Sequence, residues 1–187
     1  MKHFVSDTHF GHANVMDYSN RPYSSVQEMN EGLISAWNKQ VSPTDEVYHL
    51  GDFAFMGIEP FKHLLTLLNG RIHVVLGNHD KVIMKNSDIL LKTGLLSSIQ
   101  PYKEMKHDGR LFVLCHFAMR TWNKAQYDSI HLFGHTHGYL KPRGRSVDVG
   151  VDDKNITDEY RPVSMDEVLA FMATRDRHTN HHDEHDM

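Results

Sequence analysis

Six short apolar runs recur along the chain, and they restrict it to folds that contain buried sheets. The runs cover residues 2–7, 46–52, 71–78, 110–116, 129–134 and 146–151. They are rich in Val, Ile and Phe, and the first five end in Asp, Asn, His or Gly. Runs of this length and composition, bounded by polar or turn-forming residues, predict buried β-strands.

Helical patterns alternate with these runs. Ser25 and Glu28 have capping-box spacing, and the apolar residues that follow fall on one helical face: Val26, Met29, Leu33, Ile34 and Trp37. Further helices are predicted over residues 60–68, 81–92 and 119–127, and after the Ser164-x-x-Glu167 sequence. Strands that alternate with helices predict an α/β domain.

The length and composition predict one domain followed by a tail. The chain has 187 residues, of which 40% are hydrophobic and 24% charged, so it can bury a sizeable core and is not largely disordered. Near Arg175 the sequence becomes polar and rich in histidine. We predict a domain over residues 1–175 and a mobile tail over 176–187. The tail could bind metal ions loosely, but a tail without a role is the preferred interpretation.

Composition also limits the compartment and the partners. The sequence contains no run of 18 apolar residues, so no membrane span is expected. Its polar start lacks the apolar core of a secretory signal. The single cysteine, Cys115, cannot form an internal disulfide and is expected in the core. We therefore expect a cytoplasmic protein. A net charge of −4 argues against a generally basic nucleic-acid binder, although a local basic patch stays possible.

The ends of five successive predicted strands carry side chains that can bind metal ions. In chain order they read Asp7-Thr8-His9, Gly51-Asp52, Gly77-Asn78-His79-Asp80, His116 and Gly134-His135-Thr136-His137. Each alone has an ordinary explanation as a turn or a core residue. Because ligands of α/β folds gather at the carboxyl ends of strands, the five together predict a metal site. Carboxylate, amide and imidazole donors without thiolate suit Mn²⁺, Fe, Zn²⁺ or Ni²⁺.

The order of these motifs resembles the calcineurin-like metallophosphoesterases. The resemblance covers residues 7–137, and the predicted strand over 146–151 continues it. It implies a two-sheet β-sandwich flanked by helices, in four layers, with a dinuclear metal centre at the strand ends. The start of the chain is similar to a short subset of the family, without cap domains, in which the first motif continues as Asp-Thr-His-Phe-Gly-His.

The resemblance also implies a role for each motif residue. One metal ion is expected to take Asp7, His9 and His137, and Asp52 is expected to bridge to a second. The second ion is expected to take Asn78, His116 and His135. His79 resembles the family histidine that faces the substrate without binding metal, and Asp80 resembles its orienting partner.

The reaction that we expect is hydrolysis of a phosphoester by a hydroxide that bridges two divalent ions, with Mn²⁺ preferred. His79 is expected to stabilise charge or to protonate the leaving oxygen. The expected enzyme is a phosphodiesterase or a phosphatase that acts on small molecules or nucleotides. A nuclease with the same centre is the alternative. A binding module without catalysis is disfavoured, because the whole set of motif residues is present.

Candidate substrate contacts lie outside the five metal-binding motifs. His12 follows the first motif, and Arg120 and Arg143 follow His116 and His137 in the chain. His12 is a candidate substrate contact because it lies next to the first metal motif. Arg120 and Arg143 are candidates because arginine suits phosphate oxygens, and Arg21 is a weaker one. Arg143 belongs to a local basic run with Lys141 and Arg145, which could equally be a solvated loop. The oligomeric state is left open.

Overall fold

The computed structural model describes residues 1–176, and in that part of the chain the strands form two sheets. The strands are β1 (Lys2–Val5), β2 (Glu46–His49), β3 (Arg71–Val75), β4 (Ser98–Gln100), β5 (Lys103–His107), β6 (Arg110–Leu114), β7 (Ile130–Phe133), β8 (Ser146–Asp148) and β9 (Val163–Ser164). The first sheet has the order β4-β3-β2-β1-β9, and the second has the order β5-β6-β7-β8. Strands β1 to β4 run parallel to one another, as do β6 to β8, whereas β9 and β5 are antiparallel edges. The carboxyl ends of the parallel strands therefore lie together in each sheet.

Helices occur between the strands along the chain, as predicted for an α/β domain. They are α1 (Asn14–Tyr18), α2 (Val26–Gln40), α3 (Ile58–Leu67), α4 (Lys81–Lys85), α5 (Ser87–Lys92) and α6 (Met165–Ala173), with one 3₁₀ turn at Ala125–Tyr127. The predicted caps are present, since the side chains of Ser25 and Ser164 accept hydrogen bonds from the backbone N–H groups of Glu28 and Glu167. Within residues 1–176, no helix is both long and apolar enough to cross a membrane.

Successive side chains of a strand point to opposite faces of the sheet, so the apolar side chains are divided between two cores. On β2, Val47 packs in the core that contains Trp37 of α2 and Phe61 of α3. Its neighbour Tyr48 packs in the core between the sheets, with Phe112 of β6. A smaller cluster around Val113 and Trp122 covers the outer face of the second sheet. The result is helices, sheet, sheet and an outer segment, which confirms the expected two-sheet α/β architecture.

The carboxyl ends of the two sheets are joined directly. The backbone N–H of Ser6, just after β1, donates to the carbonyl of Val149 (3.1 Å), and the Ser6 carbonyl accepts from the N–H of Val151 (3.0 Å). Gly134 at the end of β7 lies so close to this junction that a Cβ there would collide with the Ser6 side chain. The absence of a side chain at residue 134 thus lets the two sheets meet where the candidate ligands lie.

Several predicted elements differ from the observed ones. The six predicted strands end one to three residues earlier than expected, because the last residues of each run leave the sheet and form the start of a loop. The helix predicted over 81–92 is divided at Asn86 into α4 and α5. The helix predicted over 119–127 is wrong, since that segment holds only the 3₁₀ turn, between Lys124 and Asp128 in left-handed conformations.

Four elements have no counterpart in the sequence prediction: α1, β4, β5 and β9. β5 is a polar edge strand, and β4 and β9 are two or three residues long. Such segments show little hydrophobic periodicity and form because a neighbouring strand pairs with them. Cys115 is buried, as expected. The predicted tail, with His178, His181, His182 and His185, lies outside the described residues except for Asp176.

Candidate metal centre

The loops after β1, β2 and β7 hold most of the predicted ligands in a strained backbone conformation. Asp7, His9, Asp52, His135 and His137 all have φ between 48° and 68°, in the left-handed region. Non-glycine residues rarely adopt this conformation, and it costs of order 1–3 kcal/mol each where it is maintained. Five such residues from two sheets therefore mark a site where side-chain direction is imposed by the surrounding structure.

The first group of donors comprises Asp7, His9 and His137, whose ligand atoms all lie within 4.8 Å of one another. Asp7 Oδ1 is 3.8 Å from His9 Nε2 and 3.9 Å from His137 Nε2. These residues follow β1 in the first sheet and β7 in the second. The group is the one that the resemblance implied for the first metal ion.

The second group comprises Asp52, His116 and His135, again with ligand atoms within 4.8 Å. His116 Nε2 lies 3.5 Å from Asp52 Oδ2 and 3.0 Å from Asn78 Oδ1, so Asn78 shares this position. Asp52 Oδ2 is also 3.7 Å from His9 Nε2 of the first group. One carboxylate oxygen therefore faces both groups.

Two buried atoms in the first group indicate that a cation belongs there. Asp7 Oδ1 and His9 Nε2 have no hydrogen-bond partner although both are shielded from solvent. Burial of polar atoms without partners is unfavourable, and a divalent cation between them would satisfy both. A donor set of carboxylate, amide and imidazole also suits such ions. The residues present thus fit the metal ions that the resemblance implied.

Burial and neighbouring charges shift the pKa values of the candidate ligands. Burial, together with the Asp148 carboxylate, raises the pKa of Asp7 to about 7. Burial lowers the pKa of His9 to about 3. Burial also opposes ionisation of Asp52, but the adjacent His116 imidazole outweighs it and lowers the Asp52 pKa to about 2. A cation would favour the ionised form of each carboxylate and the neutral form of His9.

Asp80 has partners other than those expected. Its carboxylate accepts hydrogen bonds from the backbone N–H groups of Asp52 (3.0 Å), Phe53 (2.9 Å) and Gly77 (2.7 Å). Within residues 1–176 it forms no hydrogen bond with the His79 ring. Asp80 therefore holds the loop after β2 against the loop after β3, and the prediction that it orients the His79 side chain has no geometric support.

His79 lies beside the ligand groups without belonging to either. Its backbone N–H donates to Asp52 Oδ1 (2.9 Å), and its exposed side chain lines a cavity of about 310 Å³ together with His9, His135 and His137. This placement suits a side chain that faces a substrate.

His12 lines the same cavity. Its ring stacks on Phe55 with centroids 4.0 Å apart and lies 5.5 Å from the His9 ring. The structure thus places His12 in the wall of the cavity, next to the first donor group. Arg120 and Arg143 do not line this cavity, and both instead line a separate one of about 330 Å³.

Arg21 is a structural residue and not a substrate contact, because its guanidinium is fully buried. It donates to both carboxylate oxygens of Asp152 (2.8 Å each) and to the carbonyls of Asp7 (2.6 Å) and Thr8 (2.8 Å). Asp152 Oδ2 in turn lies 2.6 Å from His137 Nδ1. A carboxylate on the second ring nitrogen of a metal-binding histidine sets its tautomer and orientation.

Sequence reasoning missed Asp152 and His49. The only sequence signal for Asp152 is weak: it belongs to a pair of acidic residues directly after the sixth apolar run. The buried His49 ring accepts from Gly51 N–H at Nδ1 (3.2 Å), which leaves Nε2 to donate to Thr8 Oγ1 (2.8 Å). The Thr8 hydroxyl then donates to the Phe53 carbonyl (2.9 Å). This chain of hydrogen bonds fixes the Asp7-Thr8-His9 loop against the loop that carries Asp52.

Comparison with known proteins identifies similar chains. A profile of the calcineurin-like phosphoesterase superfamily domain matches residues 1–149. The uncharacterized protein MJ1445 of Methanocaldococcus jannaschii is 34% identical over 179 residues, which cover 91% of this chain and 90% of that protein. The gene 66 protein of Mycobacterium phage D29 is 29% identical over 177 residues, with 80% and 86% covered. The crystal structure of AQ665 from Aquifex aeolicus, a protein of unknown function, has the same fold, with a TM-score of 0.68, 23% identity, and 91% of this chain and 98% of that one covered.

Proposed function

This chain belongs to the calcineurin-like phosphoesterase superfamily, and we propose that it is a metal-dependent enzyme that hydrolyses small-molecule or nucleotide phosphoesters, as a phosphodiesterase or phosphatase. The observation that carries the proposal is the pair of donor groups that share Asp52, at the carboxyl ends of both sheets. We further propose two divalent ions as cofactors, with Mn²⁺ preferred.

Each donor group would hold one ion. Asp7, His9 and His137 would bind the first ion, and Asn78, His116 and His135 would bind the second. Asp52 would lie between the two ions. When bound, such ions lower the pKa of a water molecule and neutralise charge that develops on the phosphate. The Arg21–Asp152 pair would keep His137 Nε2 turned toward Asp7, because Asp152 occupies the other ring nitrogen. Asp80 would keep Asp52 in place through the backbone.

His79 supplies the proton chemistry in this proposal. Its imidazole is exposed at the cavity, and its backbone is tied to Asp52 Oδ1. From there it can donate a proton to the departing oxygen or stabilise negative charge on the phosphate, a contribution of about 10²–10⁴-fold in rate. His12 and Phe55 form the wall of the cavity next to His9, where they can contact the substrate.

A substrate screen with the purified protein tests the proposal. The protein would be stripped of metal, reloaded with Mn²⁺, and assayed on bis-p-nitrophenyl phosphate, p-nitrophenyl phosphate, cyclic nucleotides and single-stranded DNA, with metal analysis of the same sample. We expect hydrolysis that EDTA abolishes and Mn²⁺ restores. Two bound metal ions without hydrolysis of any of these esters would contradict the proposal.

A further inference from the structure

A second cavity lies between the loops that follow β6 and β7, the same loops that carry three of the candidate ligands. It has a volume of about 330 Å³. One wall comes from the segment just after His116, and the other from the segment just after His137. The sequence predicted Arg120 and Arg143 separately as substrate contacts, and the structure brings both to this one cavity.

The cavity combines a cationic rim with an apolar floor. Arg120, Lys141 and Arg143 line the cavity, and all three are exposed. Met119 and Trp122 contribute apolar surface below them, and the Trp122 ring is fixed because its N–H donates to Ser129 Oγ (2.9 Å). Cationic and apolar surfaces side by side suit a group that is both anionic and partly apolar, such as a nucleoside phosphate.

The chain keeps this cavity close to the metal centre. Lys141 follows His137 by four residues, and Arg120 follows His116 by four. A chain extends by at most about 3.6 Å per residue, so each Cα is within about 14 Å of the corresponding ligand's Cα. Phe117, which follows His116 in the chain, is 46% exposed, with its ring centroid 4.9 Å from that of His135. An exposed aromatic ring is therefore available next to His135, one residue before the segment that lines the second cavity.

We propose that this cavity is a substrate subsite, which binds a second phosphate-bearing nucleoside next to the scissile phosphate. The inference rests on the proposed function and narrows its substrate class to short single-stranded oligonucleotides or dinucleotides. One phosphodiester lies at the two donor groups, the adjoining base packs on Phe117 or the apolar floor, and the next phosphate lies among Arg120, Lys141 and Arg143. Arg145, the last cation of the basic run, is outside this subsite, because it does not line the cavity.

Equilibrium binding separates this subsite from catalysis. Fluorescein-labelled tetrathymidylate would be titrated with the full chain in EDTA, and its anisotropy measured at several salt concentrations. The variants are Lys141→Glu and Arg143→Glu. The matched control is Lys39→Glu, an exposed lysine in the last turn of α2, at the amino-terminal end of the first sheet. We expect Kd to rise in the two subsite variants and not in the control. The slope of log affinity against log salt should fall by about 0.7 for each phosphate that a variant no longer neutralises.

Kinetics with Mn²⁺ complete the test. The ratio of kcat/KM for tetrathymidylate to kcat/KM for bis-p-nitrophenyl phosphate should fall in the subsite variants relative to Lys39→Glu. Equal Kd values for Lys141→Glu, Arg143→Glu and Lys39→Glu would overturn the subsite, whether or not the protein is an esterase. Weaker binding in the subsite variants, in a protein that hydrolyses no ester, would support the subsite and overturn the proposed function.

Discussion

Asp52 is the residue on which both donor groups depend. Its Oδ2 lies 3.7 Å from His9 Nε2 and 3.5 Å from His116 Nε2, while its Oδ1 accepts from the His79 backbone. The carboxylate is buried, and the adjacent imidazole holds its pKa at about 2. It is therefore ionised throughout the pH range in which the protein would work.

We predict that Asp52→Asn weakens both metal sites at once. The amide keeps the shape of the side chain but removes the negative charge that faces both groups. The expected loss of Mn²⁺ affinity is at least the ~10–100-fold found when a supporting group is removed, and kcat should fall with it. Calorimetric titration with Mn²⁺ measures the affinity. Asp88→Asn, an exposed acid in the first turn of α5, serves as control. Full activity of the metal-replete variant would remove Asp52 from the bridging role.

His79 can be tested by the leaving group. A poor leaving group needs a proton as its bond to phosphorus breaks, whereas p-nitrophenolate does not. We predict that His79→Ala binds Mn²⁺ normally and loses about 10²–10⁴-fold in kcat on an alkyl phosphodiester. The loss on bis-p-nitrophenyl phosphate should be smaller. His63→Ala, on the exposed side of α3, controls for a lost imidazole. An unchanged kcat on the alkyl ester would be incompatible with a catalytic His79.

At the scale of elements, the loops after β1, β7 and β8 are held together by the buried pair of Arg21 and Asp152. Arg21 fixes the carbonyls of Asp7 and Thr8, and Asp152 holds the ring of His137. The pair thus connects two ligands of the first group that are 130 residues apart in the chain. Its role is to position ligands, since the Arg21 side chain is not exposed to the cavity.

We predict that Asp152→Asn lowers Mn²⁺ affinity by about 10–100-fold, because His137 loses its charged partner. It should also lower the free energy of unfolding by about 3–5 kcal/mol, since Arg21 becomes an unpaired buried charge. Denaturant unfolding in EDTA measures the second effect without metal. Glu159→Gln removes an exposed carboxylate that pairs with Arg161, and it should change neither quantity appreciably. Normal metal affinity in a destabilised Asp152→Asn would leave the pair with a purely structural role.

At the scale of the whole molecule, each donor group takes residues from both sheets. Asp7, His9, Asp52 and Asn78 follow strands of the first sheet, whereas His116, His135 and His137 follow strands of the second. A bound ion in either group would therefore tie the two sheets together, and it could bind fully only when both are folded. Metal binding and global stability should be linked for this reason.

We predict that Mn²⁺ raises the thermal unfolding midpoint. A ligand at 100 times its Kd stabilises the folded state by about 2.7 kcal/mol per site. Since 1 kcal/mol shifts Tm by about 2–4 °C in a domain of this size, two sites should add ~10–20 °C. Differential scanning calorimetry with EDTA and with Mn²⁺ measures the shift. The double variant Asp7→Asn/Asp52→Asn should lose most of it, and an equal shift in that variant would place the stabilising ions elsewhere.

The sequence alone determined the strands that form the site and the chemistry that they carry. Apolar runs that end in Asp, Asn or His are local patterns, and donor type follows directly from residue type. These patterns located β1, β2, β3, β6, β7 and β8 and every member of the two donor groups. They did not locate β4, β5 and β9, which form through pairing with a neighbouring strand, and they overestimated the helix over 119–127.

The tertiary structure alone decided which distant residues meet. Asp80 turns to three backbone N–H groups, Arg21 pairs with a carboxylate 131 positions away, and Arg120 and Arg143 share a cavity apart from the donor groups. No local periodicity encodes such contacts, because they depend on how two sheets pack and on backbone conformations that a sequence pattern does not specify. Residue type thus determined what the site can bind, and the packing of the two sheets decided which residues support it.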